Sequence, residues 1–209
     1  MLVGELLDMV EDKGVETLDF MIDKITESKY FDGFPIVSHL LCLIKVVMVI
    51  PNYLYAKKTW AFLEGLKSRN MDCDTFSKAM KELNQNSEKF EEELLFQIEK
   101  AENTDKAKLL GYFTRLFALR SISYENYLFY INVINNMQLT FLQRFSDMYT
   151  DFSNLKNTTF YNILNAQGLI VNTTPQMSID DSPLFYETDL SDEAKDFGKL
   201  LHNYFSMKE

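Results

Sequence analysis

Apolar residues recur along most of this chain at spacings of three and four, the period of a helix buried along one side. Leu6, Met9, Val10, Leu18, Met21, Ile22 and Ile25 predict helical structure over 2–29, with a break near Gly14. Phe31-Asp-Gly-Phe-Pro35 punctuates the pattern. The most apolar stretch, Ile36 to Ile50, predicts a central helix that Pro51-Asn52 ends or kinks. Over 53–68 the pattern places Leu54, Trp60, Leu63 and Leu66 inward and Lys57, Lys58 and Lys67 outward. Asp72 or Asp74 is expected to cap a helix containing Phe76, Met80 and Leu83. Ser87 is expected to cap the next, with Phe90, Leu94, Ile98 and Ala101 as its stripe and Glu91, Glu92, Glu93 and Glu99 as its wet face.

Thr104 then caps a helix with Ala107, Leu110, Thr114, Phe117 and Ala118 on one side. Ser123 caps a longer one, striped by Tyr127, Ile131 and Ile134 and continuing through Leu139, Leu142 and Phe145 to about Phe152. The last part changes character. Thr158 to Gln167 predicts a short helix ended by Gly168. Leu169 to Thr174 has strand composition, Pro175 to Pro183 is turn-rich, and Leu184 to Thr188 reads as the returning strand. Ser191 caps a closing helix with Ala194, Phe197, Leu200, Leu201 and Tyr204 on one face.

Composition supports this picture. The 209 residues include only 7 Gly and 4 Pro, and 46% are hydrophobic, enough for a core of long helices. The net charge of -10 sets the chain against phosphate backbones and anionic lipid, so nucleic acid is a disfavoured partner. Cys42 and Cys73 form no CxxC pair, and the N-terminus has no basic region before its apolar residues, so a reducing, cytoplasmic setting is expected. The 36–56 stretch offers a membrane-inserting alternative. A spanning helix needs about 20 apolar residues, however, and this one contains His39, Lys45, Pro51 and Asn52.

Groups able to do covalent chemistry are sparse. His39 and His202 are far apart and have no ligand-spaced partners, so no metal is expected. Arg120-Ser-Ile-Ser-Tyr-Glu-Asn126 sounds like the exit of a calcium loop, yet Leu116, Phe117, Ala118 and Leu119 stand where acidic ligands belong. Neither a phosphate-cradling glycine motif nor a GxSxG elbow is present, and His39 with Cys42 has no acidic orienter. The expectation is therefore a chain that is not an enzyme and takes no cofactor. Rings, in contrast, are abundant, at 17 Phe and 11 Tyr. Tyr124, Tyr127, Phe129 and Tyr130 surround most of one helix, and Phe141, Phe145, Met148 and Tyr149 continue the theme. These eight serve either as bundle core or as an interface with another protein. A homodimer through this long helix is the preferred form of the second reading.

Two resemblances add to this. Leu164-Asn-Ala-Gln-Gly-Leu-Ile170, then a polar hairpin, then Tyr186 to Gly198, resembles the back half of a winged-helix domain, with Thr188 or Ser191 near that family's threonine position. The resemblance implies DNA contact through Thr158 to Gln167 and through Asn172 to Pro183. Those segments hold no Lys or Arg and include Asp180 and Asp181, so a structural or protein-binding wing is expected over a transcriptional regulator. Phe34-Pro-Ile-Val-Ser-His-Leu40, Ala56 to Leu63, Asp105 to Phe113 and Ile122 to Tyr127 are similar to a group of bacterial and phage helical proteins, which implies a setting in phage defence or counter-defence. The expected fold is mainly α: an antiparallel helical bundle over 1–152, with a small winged-helix-like α+β module over 153–209. The expected role is non-catalytic protein binding, as a binder, inhibitor or assembly factor.

Overall fold

A computed structural model describes residues 53–66, 88–150, 159–175 and 186–207. The helices expected over 2–29 and around Phe76, the apolar stretch 36–50, the caps at Asp72, Asp74 and Ser87, His39 and both cysteines lie outside the described residues. The described fold is mainly α with one antiparallel strand pair. Helices α1 (Tyr53–Leu66), α2 (Glu88–Lys100), α3 (Thr104–Ala118), α4 (Tyr124–Asn136), α5 (Leu139–Met148) and α6 (Thr159–Ala166) precede strands β1 (Ile170–Pro175) and β2 (Tyr186–Leu190), and α7 (Asp192–Ser206) follows. The chain divides into two compact units, Met1–Tyr127 and Leu128–Glu209.

In the first unit, α1 and α3 cross at two glycines. A methyl group on Gly65 would run into the Lys108 carbonyl oxygen, and one on Gly111 into that of Phe62. Beyond those carbonyl groups the nearest atoms would be Tyr112 N at 2.9 Å and Leu66 N at 3.0 Å. Backbone therefore lies directly on backbone. Each glycine follows a buried alanine by four residues, Ala61 and Ala107, so both helices present an Ala-x-x-x-Gly stripe that permits the approach. This is the small-residue packing used between membrane helices, here between helices flanked by the buried rings of Phe62 and Phe113.

That crossing sets the face α1 buries, and two expectations are corrected by it. Leu54 points outward, 53% exposed, while Lys58 is turned inward at 9%. The buried ammonium is compensated because Lys58 Nζ donates to the Glu99 carbonyl, 2.8 Å away. That carbonyl belongs to the last turn of α2, where a cation meets the negative end of the helix dipole. Leu63 and Leu66 are buried as expected, and Trp60 is half-buried. On α2, Leu94 and Ile98 are buried, as is Ala101 just beyond it.

The cap of α3 is Asn103 and not Thr104. Its side-chain oxygen accepts from Lys106 N at 2.9 Å, and the amide does this better than a hydroxyl one residue later could. The far end of α3 stops without glycine. Arg120 adopts φ 57, and Ser121 N–H donates back to the Leu116 carbonyl at 2.9 Å, closing a Schellman turn. A side chain in this left-handed conformation is strained. Arg120→Gly is therefore expected to stabilise the chain by about 0.5–1 kcal/mol, read as a higher denaturant midpoint at unchanged slope. A lower midpoint would show that the arginine contributes contacts worth more than the strain.

Ser123 Oγ accepts from Asn126 N at 3.1 Å and opens α4, whose Tyr127, Ile131 and Ile134 are buried as the periodicity predicts. The expected run to Phe152 is broken. Gln138 is extended (φ -63, ψ 146) and its carbonyl starts α5 by accepting from Leu142 N at 3.1 Å. Asn135-Asn136 weakens the helix at this point, and the Asn136 side chain turns back to Asn132 at 2.9 Å. The break lets Met137 and Leu142 both be buried.

In the second unit, α7 packs on α5. Phe197 stacks on Tyr130 (4.9 Å, 17°) and meets Phe145 at 6.1 Å. Gly198 admits the Tyr149 ring so closely that a methyl group there would overlap Tyr149 Cβ. Gly168, at φ 72, ends α6 as expected, with Leu169 N–H donating to the Leu164 carbonyl at 3.0 Å. The strands pair Ile170 with Leu190, Val171 with Asp189 and Asn172 with Thr188, and a bulge precedes the pairing of Pro175 with Tyr186. Ser191 caps α7 by accepting from Ala194 N at 3.1 Å. Asp189 ties the hairpin to that helix, one oxygen accepting from Leu190 N and the other from Lys195 Nζ, each at 2.8 Å.

Candidate functional site

The eight aromatic and methionine candidates separate into three environments. Tyr127 is buried in the first unit, and Tyr130 and Phe145 are buried in the second. These three are interior, since a ring that fills the core of its own chain is not available to another. Phe129, Phe141, Met148 and Tyr149 are half-buried. Phe141 stacks on Phe160 at 5.8 Å, and Tyr149 lies against Gly198. Tyr124 alone among the eight is exposed, at 49%.

Tyr124 is held where it is by a small stack. Its ring lies 5.5 Å from Phe117 and 6.5 Å from Tyr127, and Phe117 stacks on Tyr127 at 4.8 Å. Thr114 anchors the inner end. Its hydroxyl donates to the Leu110 carbonyl at 2.8 Å, so the 3.2 Å contact with Tyr127 is made by the tyrosine hydroxyl donating to Thr114 Oγ1. The outer ring is therefore preordered, with Ser121, Ser123 and Glu125 exposed around it.

The buried tyrosines are held neutral. Burial pushes the Tyr127 hydroxyl far up; the Thr114 contact lowers it, and Glu93 and Tyr124 raise it further. Burial, with Asp196 and Glu193, pushes Tyr130 up to about 12. Burial also raises Tyr55, helped by Glu99, and Tyr112, where the Arg115 guanidinium 4.8 Å from the ring pulls the other way. A tyrosine whose folded value lies above its unfolded value of about 10 adds stability that is complete below pH 10 and is lost as pH rises toward the folded value. The share of tyrosinate absorbance that belongs to these buried rings is thus expected to develop late and together with loss of helical circular dichroism. Ionisation of all 11 tyrosines near pH 10 with the helical signal intact would contradict this burial.

Among the described residues, no group of three or more His, Cys, Asp or Glu side chains is placed to hold a metal ion. His202 is exposed, and its Nδ1 donates to the Ser146 carbonyl at 3.2 Å, which fixes the tautomer in a surface contact. Among the described residues, no helix is long and apolar enough to cross a membrane.

One residue outside the expected set stands out. Phe96 on α2 is 58% exposed. The sequence carries the signal, since Phe96 falls on the opposite side of the helix from Leu94 and Ile98, among the glutamates. No family model, curated protein or solved structure matches the chain.

Proposed function

We propose that the chain is a non-catalytic protein-binding protein of the cytoplasm, acting as a binder, inhibitor or assembly factor, and that it pairs with a second copy of itself through the surface around Tyr124. The observation that carries this reading is the half-exposed Tyr124 ring, ordered in advance by Phe117 and Tyr127. A rigid ring with a polar tip contributes contact area at little cost in side-chain entropy, which is why tyrosine is enriched where proteins meet. The half-buried Phe117 widens that face.

The order α6, β1, β2, α7 supports reading residues 153–209 as a winged-helix-like module. The scarcity of cations on its reading helix and hairpin favours a structural or protein-contacting wing over DNA binding. Photo-crosslinking tests the Tyr124 surface. With p-benzoylphenylalanine in place of Tyr124, irradiation is expected to yield a covalent dimer. The same group in place of Glu193, exposed on α7, is the control and is expected to yield none. Equal yields, or none from either, would count against the proposed surface.

A further inference from the structure

We draw no further inference here: the strongest candidate, the surface patch on α2 where the exposed Phe96 ring sits among Glu93, Glu99 and Lys100, is a single ring beside acidic side chains, and nothing in the structure shows what covers it.

Discussion

Gly111→Ala is expected to destabilise the chain by about 2 kcal/mol, although alanine is the better helix former by about 1 kcal/mol. In an exposed helix the change would stabilise. Here the new methyl group would occupy the position of the Phe62 carbonyl oxygen, and a backbone atom cannot rotate away as a side chain can. The two helices must separate, which loosens the packing of Phe62, Leu66 and Phe113 around the crossing. Overpacking of this kind costs about 1–3 kcal/mol, occasionally more. A reciprocal contact joins Gly65 to Lys108 across the same crossing. The double variant Gly65→Ala with Gly111→Ala is therefore expected to lose less than the sum of the two single changes, because helices already parted have room for the second methyl group. Urea titration followed by circular dichroism gives the answer. A rise in stability, or strict additivity, would mean that α1 and α3 do not touch at these glycines.

Phe197→Ala is expected to cost about 3–5 kcal/mol, the range for emptying a fully buried ring site. Phe197 joins helices that are distant in sequence, with Tyr130 of α4 on one side and Phe145 of α5 on the other. Removing it takes a stacked ring from Tyr130 and a ring contact from Phe145. Phe197→Leu is expected to cost distinctly less, since most of the volume is kept. Near-ultraviolet circular dichroism should report the loss of the Tyr130 environment before helical content falls. A cost below about 1 kcal/mol for Phe197→Ala would place this ring outside the core.

Where local chemistry dominates, the sequence was a good guide. Ser123 and Ser191 cap the helices they precede, and Gly168 ends α6 in the left-handed conformation that its position called for. The buried stripes Leu94–Ile98, Tyr127–Ile131–Ile134 and Ala194–Phe197–Leu201 follow from helical spacing alone. Where tertiary packing dominates, it was not. Lys58 reads as a wet-face lysine until the end of α2 provides a carbonyl for it. Leu54 reads as inward because an apolar residue gives no sign of which face a neighbouring helix will cover. The paired Ala-x-x-x-Gly stripes at Ala61–Gly65 and Ala107–Gly111 are visible in sequence, but two such stripes mean a crossing only once the helices are known to meet.

The candidate surface shows the same division. Tyr124, Tyr127, Phe129 and Tyr130 have similar chemistry, and their side chains alternate between core and surface within less than two turns of α4. Periodicity placed Tyr127 inside with Ile131 and Ile134. It could not assign Tyr130, which is buried by Phe197, a partner more than sixty residues away along the chain. Much of the aromatic surplus is thus used up within the chain, in ring-on-ring contacts of both units. Among the described residues, the Phe and Tyr rings left exposed are Tyr124, on its stack, and Phe96 on α2.

Light scattering on the purified chain, with and without Tyr124→Ser, tests the central claim most directly. The wild-type protein is expected to show twice its chain mass of 24.5 kDa, and the variant, whose side chain leaves the core intact, is expected to fall to the single mass. A wild-type chain that stays monomeric at high concentration, or a variant as dimeric as its parent, would contradict the assignment of the exposed ring to self-recognition.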